Sequence, residues 1–279
     1  MSPIISPSEL KSVFQNPNLI IIDARAGKDV YQTYLEKHIK GARFIDLDKD
    51  LAEIGENAAF GGRHPLPDVT KFAETLSDLG VSEDAHIVIY DDKNGANAAA
   101  RAWWMLRSFV FDNVQVLDGG IQSAEKEGIE FSSGEEAFEK TSVIKKEGWL
   151  LPIKSLEAVE NELLNRYSTV VDVRDAYRYK GESEPIDLIA GHIPGAINIP
   201  FSENLDETGN FLKPEILKEK YTELLKDKPQ HLIIHCGSGV TACHTILALE
   251  YAGFPTPDLY VGSWSEWSRR EGKEIAREI

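Results

Sequence analysis

Residues 231–241 have the sequence HLIIHCGSGVT, in which an apolar stretch leads into a glycine-containing turn and then into the helix-like stretch 242–251, ACHTILALEY. A short buried strand that passes through a tight turn into a helix is the building unit of α/β folds with parallel sheets. Ligands of such sheets bind beyond the carboxyl ends of the strands. Cys236 follows the predicted strand directly, so the sequence places a thiol where chemistry is expected.

The same pattern occurs earlier in the chain, and three further segments are repeated in the same order. The four pairs are 19–25 (LIIIDAR) with 168–174 (STVVDVR), 38–44 (HIKGARF) with 192–198 (HIPGAIN), 86–91 (HIVIYD) with 231–236 (HLIIHC), and 117–120 (LDGG) with 260–263 (YVGS). The offsets lie between 143 and 154 residues, which is too long for a solenoid repeat. The pattern therefore indicates a duplicated domain.

Each half alternates short apolar strands with helical patterns. We therefore predict two tandem α/β domains, each with a mainly parallel sheet flanked by helices. The first domain is expected at 1–130 and the second at 153–279, and 279 residues suit two domains of ordinary size. Residues 131–152 begin with FSSGEE, are rich in small and acidic residues, and are predicted to form a linker.

The composition narrows the function classes. With 42% hydrophobic and 27% charged residues the chain is typical of a globular protein, and no apolar run approaches the roughly 20 residues that span a bilayer. The formal charge of -16 argues against nucleic-acid partners. The N-terminal MSPIISPS lacks the basic and apolar regions of a secretory signal. We expect a cytoplasmic protein without membrane or nucleic-acid partners.

The turn after Cys236 has the features of an anion-binding loop. Gly237 and Gly239 allow successive N–H groups to face one point, and a helix from about Thr241 directs its positive end there. Such a setting stabilises a thiolate at neutral pH. The other cysteine, Cys243, is expected to be a buried structural residue, because free cysteines are among the most buried residues. Two cysteines seven residues apart do not suggest a disulfide.

Two other site types fit the turn less well. The pairs His235-Cys236 and Cys243-His244 look like zinc ligands, but zinc motifs usually pair cysteines as C-x2-4-C, so a metal site is not favoured. Cysteine phosphatases use Cys-x5-Arg around the same kind of loop. Ala242 stands at that arginine position, so the guanidinium that would hold a phosphate is missing.

Several motifs resemble one known family. The motifs are 236–241 (CGSGVT), 191–196 (GHIPGA), 101–104 (RAWW) and 262–267 (GSWSEW). They resemble those of tandem-domain rhodanese-like sulfurtransferases, the family of 3-mercaptopyruvate and thiosulfate sulfurtransferases, over nearly the whole chain. The resemblance implies that Cys236 takes sulfur from a small-molecule donor as a persulfide and passes it to cyanide or to a thiol such as thioredoxin. No metal or organic cofactor is implied.

The resemblance also implies roles for the residues around Cys236. The substrate-binding loop would comprise Gly237, Ser238, Gly239, Val240 and Thr241. A relay of Ser238, His64 and Asp48 would stabilise and protonate the enolate that remains when the carbon–sulfur bond of mercaptopyruvate breaks. A surface histidine and a helix-capping acid are the alternatives for His64 and Asp48. Asp91 stands at the cysteine position of the first half, and a carboxylate cannot carry a sulfane sulfur, so the first domain is expected to be non-catalytic.

The donor is predicted from the charge of the loop. Thiosulfate-specific relatives place Arg and Lys inside it, where this chain has Gly237 and Ser238. A neutral loop favours mercaptopyruvate, whose carboxylate Arg178 would grip as the family's substrate-binding arginine. A solvated surface arginine is the alternative. The family's second arginine, nine residues later, is replaced by Asp187. Thiosulfate as the donor and a non-catalytic sulfur-relay module therefore stay open.

Overall fold

The computed structural model of the protein describes residues 1–278. They form two compact units that do not follow the chain order strictly. The first unit comprises residues 1–53, 67–150 and 207–210, and the second comprises 54–66, 151–206 and the chain from 211 onward. Residues 54–66 therefore belong to the second unit although they lie early in the sequence, where the predicted boundary assigned them to the first domain.

The first unit is built on a parallel sheet. Its strands are β1 (Ile4–Ile5), β2 (Leu19–Asp23), β3 (His38–Ile39), β4 (Arg43–Phe44), β5 (His86–Tyr90), β6 (Val114–Leu117) and β7 (Phe131–Ser132). Five of them form the sheet in the order β1-β6-β5-β2-β4, and every neighbouring pair is parallel. The remaining two, β3 and β7, form a separate antiparallel ribbon.

The second unit repeats this sheet. Its strands are β8 (Ile153–Lys154), β9 (Thr169–Asp172), β10 (Ile197–Asn198), β11 (Leu232–His235) and β12 (Asp258–Tyr260). All pairs are parallel and the order is β10-β9-β11-β12-β8. The sequence repeats make β5 equivalent to β11 and β2 equivalent to β9, so both units have the same strand order. The predicted fold class is therefore confirmed, and the sheets bear out the duplication.

Helices flank both sheets. In the first unit they are α1 (Pro7–Val13), α2 (Val30–Glu36), α3 (Val69–Asp78), α4 (Ala98–Phe109) and α5 (Gly120–Glu127). In the second they are α6 (Leu156–Asn165), α7 (Ala176–Lys180), α8 (Pro214–Leu225), α9 (Thr241–Tyr251) and α10 (Ser263–Trp267), with a 3-10 helix at Phe201–Asn204. Within residues 1–278, none of the helices combines the length and apolar content needed to span a bilayer.

The repeated Asp-x-Arg motif has one structural role in both units. Arg25 donates to the Asp23 carboxylate from Nε at 3.0 Å and from Nη2 at 2.6 Å. Arg174 and Asp172 repeat these two distances. Both carboxylates are fully buried at the ends of their strands, where an unpaired charge would be strongly unfavourable. The arginine two residues later supplies the required counter-charge.

The core of the second unit lies between its sheet and the surrounding helices. Val159 of α6 packs in one cluster with Val170 of β9, Ile233 of β11 and Tyr260 of β12. Large aromatic side chains complete the cores of the two units. Four tryptophans, Trp103, Trp104, Trp264 and Trp267, are buried in these cores.

The segment predicted as a linker makes ordered contacts along most of its length. Residues 131–150 belong to the first unit. The N–H of Thr141 donates to the Ser77 carbonyl oxygen at 3.1 Å, and the Thr141 hydroxyl donates to the Val81 carbonyl at 2.8 Å. Trp149 packs on Phe72 with ring centroids 5.4 Å apart. These contacts hold the segment against its own unit, and the predicted linker at 131–152 stays a prediction.

Candidate active site

The loop that contains Cys236 connects β11 to α9 and is held by the segment at the start of α10. The Cys236 N–H donates to Ser263 Oγ at 3.1 Å, and the Cys236 carbonyl oxygen accepts from the Trp264 N–H at 3.0 Å. The Gly237 carbonyl oxygen accepts from the Ser265 N–H at 2.8 Å. Cys236 is 1% exposed. Its thiol is therefore carried by a fixed backbone at the carboxyl end of a central strand, as the sequence predicts.

Gly239 and Cys243 shape the end of the loop. Gly239 has a φ of +73°, and a Cβ atom there would lie 2.6 Å from the Val261 carbonyl oxygen, so the position requires glycine. The Cys243 thiol lies in the first turn of α9, where it is buried and donates to the Gly239 carbonyl oxygen at 3.3 Å. These contacts agree with the structural role expected for Cys243.

In the first unit, the residue equivalent to Cys236 is Asp91, and its side chain binds the backbone of the loop that follows it. Asp91 is fully buried, and its carboxylate accepts four backbone N–H groups, those of Lys93 and Gly95 at 2.8 Å and those of Asn97 and Ala99 at 3.1 Å. Burial raises the pKa of Asp91, although these hydrogen bonds act in the opposite direction. The chain's own carboxylate thus occupies four N–H groups that an external anion would need.

His64 contacts the cysteine loop directly. Its Nδ1 lies 2.7 Å from the Ser238 Oγ, and both residues belong to the second unit. Two backbone hydrogen bonds fix the segment that carries it, from the Gly61 N–H to Glu266 at 3.0 Å and from the Arg63 N–H to the Ser265 Oγ at 3.0 Å. His64 is therefore attached to the cysteine loop, and its role in the relay stays a prediction.

Asp48, the third residue of the predicted relay, belongs to the first unit. It lies in a turn in which its N–H donates to Asp46 Oδ1 at 2.9 Å. The same carboxylate oxygen accepts from the Lys49 N–H at 3.2 Å. The turn agrees with the sequence, and the role of Asp48 stays a prediction.

Arg178 lies in α7 and is 8% exposed. Its Nε and Nη2 donate to Glu184 Oε1 at 3.0 and 2.7 Å. Burial would raise the pKa of Glu184, but the hydrogen bonds from Arg178 help to lower it. The Nη2 atom also lies 3.6 Å from the position a Cβ of Gly237 would take, beside Cys236. A solvated surface arginine is therefore wrong, and the guanidinium lies next to the cysteine loop.

Asp187, the acid found where a second arginine was expected, is an acceptor for three arginines. Its Oδ1 accepts from Arg63 Nε at 3.1 Å and from Arg269 Nη1 at 2.9 Å, while its Oδ2 lies 3.5 Å from Arg178 Nη2. The Asp187 side chain is fully buried. The sequence reasoning did not identify Arg63 or Arg269. For Arg63 the adjacent His64 was an available signal, whereas Arg269 had none.

The paired His-Cys motifs are not arranged as a metal centre. The His235 Nδ1 lies 3.3 Å from the Cys236 carbonyl oxygen, and burial lowers the pKa of His235 despite the opposing effect of Asp172. The His244 ring stacks on Phe211 with centroids 4.6 Å apart. Among residues 1–278, no group of three or more His, Cys, Asp or Glu side chains is placed to hold a metal ion.

Known proteins resemble this chain over most of its length. The family model described as a rhodanese-like domain matches residues 6–127 and 155–270. A probable 3-mercaptopyruvate sulfurtransferase of Pseudomonas aeruginosa is 40% identical over 98% of this chain and 97% of its own length. A thiosulfate sulfurtransferase of Gallus gallus is 37% identical over 87% and 82%. The structure of 3-mercaptopyruvate sulfurtransferase from Leishmania major superposes with a TM-score of 0.82 at 28% identity, over 95% of this chain and 74% of that one.

Proposed function

The chain belongs to the rhodanese-like family of sulfurtransferases, and we propose that it moves the sulfur of 3-mercaptopyruvate to a thiol or to cyanide through a persulfide on Cys236. The contact of 2.7 Å between His64 Nδ1 and Ser238 Oγ carries this proposal. Cleavage of a carbon–sulfur bond leaves an enolate that must be stabilised and protonated. Cleavage of thiosulfate releases sulfite and needs no such proton, so a hydroxyl–imidazole pair favours the carbon donor.

The first step loads sulfur onto the enzyme. The Cys236 thiolate attacks the donor sulfur, a sulfur–sulfur bond forms, and the carbon–sulfur bond breaks with its electron pair going to carbon. The resulting enolate takes up the proton that the donor sulfur carried, which gives pyruvate and the Cys236 persulfide anion. In this proposal Ser238 and His64 move this proton, and the Arg178 guanidinium orients the donor carboxylate.

The second step removes the sulfur. An acceptor thiolate attacks the outer sulfur of the persulfide, the Cys236 thiolate leaves, and the acceptor departs as its own persulfide. Cyanide would leave as thiocyanate by the same displacement. A protein thiol such as thioredoxin is our proposed acceptor class. The role of Asp48 as the third relay residue remains part of the proposal.

Thiosulfate is the second candidate donor. Relatives of both names align with this chain at similar identity, and three arginines surround the buried Asp187 near the loop. Guanidinium groups suit a sulfonate-like end as well as a carboxylate. A sulfur-relay module that serves one protein partner is the third candidate, and it would stall with small thiol acceptors.

Mass spectrometry of the donor-treated protein tests the persulfide. We expect an added mass of about 32 Da, one sulfur atom, on the peptide that contains Cys236. No adduct should form in Cys236→Ser, because a hydroxyl lacks the nucleophilicity of a thiolate. An adduct found only on Cys243, or none on the wild-type protein with either donor, would reject the mechanism.

Steady-state kinetics of Ser238→Ala and His64→Gln test the choice of donor. With mercaptopyruvate we expect kcat to fall by about a hundredfold or more, the usual contribution of a positioned acid–base group. With thiosulfate the loss should be small, because no carbon is protonated. Ser202→Ala, an exposed serine of the same unit, is the control. Equal losses with both donors would contradict the proposed role of the pair.

A further inference from the structure

The arginines around the cysteine loop carry more positive charge than the acids beside them can neutralise. The charged groups in mutual contact are Arg63, Arg174, Arg178, Arg269, Asp172, Glu184 and Asp187. Four guanidinium groups thus face three carboxylates. These guanidinium groups therefore exceed the carboxylates by one positive charge, beside a loop whose Cys236 reacts as a thiolate.

This excess lies on the Asp187 side of the cluster. Arg174 is matched by Asp172, and both Nε and Nη2 of Arg178 are directed at Glu184. Arg63 and Arg269, in contrast, share the single oxygen Oδ1 of Asp187.

Arg63 and Arg269 are also more exposed to solvent than Asp187, the carboxylate that they share. The Asp187 side chain is fully buried, whereas the Arg63 side chain is 27% exposed and that of Arg269 is 16% exposed. The positive groups therefore remain open to an anion from solvent while the acid does not. A fixed cation of this kind attracts anionic ligands even on a protein of negative net charge.

Arg63 is the arginine of this pair that lies beside the reactive cysteine. Its Nη2 is 3.1 Å from the position that a Cβ of Gly237 would take, and Gly237 directly follows Cys236. Nε makes the contact between the Arg63 guanidinium and Asp187, while Nη2 lies beside the loop. A side chain at position 237 would occupy the space that Arg63 uses.

We propose that Arg63 is a donor-specificity residue, which Asp187 holds in position and which binds the carboxylate of the sulfur donor together with Arg178. This inference rests on the proposed sulfurtransferase function and names the residue that replaces the missing second arginine. The cysteine loop itself is uncharged at Gly237 and Ser238, so Arg63 of the segment 54–66 supplies a positive charge beside it. Two guanidinium groups beside the loop suit the carboxylate of a donor such as a 2-oxo acid thiol.

The substitution Arg63→Gln tests the proposal without removing other contacts of the site. Asp187 would keep Arg269 at 2.9 Å and Arg178 at 3.5 Å, so it would not become an unpaired buried charge. The backbone hydrogen bond from the Arg63 N–H to Ser265 also remains possible. Lys180→Gln is the matched control, because Lys180 is an exposed cation in the same unit.

Two measurements are needed, kinetics with mercaptopyruvate and calorimetric binding of pyruvate, a 2-oxo acid without transferable sulfur. For Arg63→Gln we expect KM and the pyruvate Kd to rise by about ten- to a hundredfold, as expected for one charge-assisted hydrogen-bonding group, with kcat nearly unchanged. Arg63→Lys should lie between wild type and Arg63→Gln, because an ammonium keeps the charge but not the fork. Values for Arg63→Gln within twofold of those for Lys180→Gln would overturn the proposal.

Loading with inorganic polysulfide distinguishes this proposal from the function on which it rests. Polysulfide is an anion without a carboxylate, so the rate loss of Arg63→Gln should be much smaller with polysulfide than with mercaptopyruvate, whereas Cys236→Ser should not load from either donor. An equal loss with both donors would show a general defect and overturn the specificity role. If wild type loads from no donor, the sulfurtransferase proposal fails, while pyruvate binding still decides whether Arg63 binds a carboxylate.

Discussion

Ser263 is a residue whose backbone is strained to hold the nucleophile. Its φ is 53°, in the left-handed region that glycine adopts most easily, and the equivalent residue of the first unit is Gly120 with a φ of 60°. The Ser263 hydroxyl accepts the Cys236 N–H at 3.1 Å and donates to the Tyr260 carbonyl oxygen at 2.8 Å. Unlike Gly120, Ser263 has a hydroxyl, and this hydroxyl fixes the backbone of Cys236. The left-handed φ of Ser263 costs about 1–2 kcal/mol.

Substitutions at Ser263 should separate strain from hydrogen bonding. Ser263→Ala keeps the strained φ and loses both hydrogen bonds, so we expect the free energy of unfolding to fall by about 1–3 kcal/mol. Ser263→Gly loses the same bonds but relieves the strain, so its loss should be about 1 kcal/mol smaller. Urea unfolding measures both. Equal losses would show that φ at this position carries no strain, and sulfur loading as fast as in wild type in both variants would contradict the positioning role.

Helix α9 lies between two glycines with positive φ. Gly239 precedes it with φ +73°, and Gly253 follows it with φ +82°. After Gly253, the Phe254 N–H donates to the Leu249 carbonyl oxygen at 3.0 Å, which closes the helix in the manner of a Schellman motif. A Cβ atom added at Gly253 would meet no other group within 4 Å, whereas one added at Gly239 would lie 2.6 Å from the Val261 carbonyl oxygen. The two ends therefore need glycine for different reasons.

Alanine at each glycine should reveal this difference. Gly253→Ala introduces only the cost of a left-handed alanine, about 1 kcal/mol of the free energy of unfolding. Gly239→Ala adds a contact of 2.6 Å with backbone, so we expect at least twice that loss together with a displaced cysteine loop. Thermal unfolding and the rate of sulfur loading measure the two effects. Equal loading rates in both variants would contradict the packing argument for Gly239.

At the scale of the whole molecule, two equivalent sheets carry different groups at the same strand end. The first unit uses Asp91 to bind its own loop, and the second presents Cys236. Behind Cys236, the second unit also buries His235 beside Asp172, with 3.9 Å between the His235 Nε2 and Asp172 Oδ2. Burying a histidine makes the stability of the fold depend on pH.

We expect His235 to destabilise the fold on mild acidification. Burial lowers its pKa in the folded state, with Asp172 opposing, so the unfolded chain binds this proton more readily. Stability should therefore fall as the pH drops below about 6.5, by up to about 1.4 kcal/mol per pH unit until the lowered pKa is reached. Burial would raise the pKa of Asp172, but Arg174 and His235 lower it. The stability that the ionised Asp172 contributes is therefore lost only below about pH 3.9.

Urea unfolding of wild type and His235→Asn between pH 5 and pH 8 checks this dependence. The asparagine amide can still donate to the Cys236 carbonyl oxygen, but it does not titrate. We expect a smaller loss of stability between pH 7 and pH 5 in the variant. The same pH slope in both proteins would show that His235 is not the source.

Features that depend on local pattern are predictable from the sequence alone. Apolar strands followed by glycine turns predicted the sheets, and repeated motifs predicted two domains of one family, both of which are confirmed. Cys236 was found because a strand, a loop and a helix are contiguous in sequence. The exact domain boundaries and the roles of the site residues remain predictions.

The way in which distant segments complete the site is visible only in the folded chain. Residues 54–66 join the second unit, which brings His64 to Ser238 and Arg63 to Asp187. In the sequence, Asp187 suggests only that a substrate-binding arginine is missing, because the residues next to it in the chain do not reveal which side chains pair with its buried charge. In the fold, Arg63 and Arg269 reach it from positions 124 and 82 residues away, and burial makes such pairing necessary.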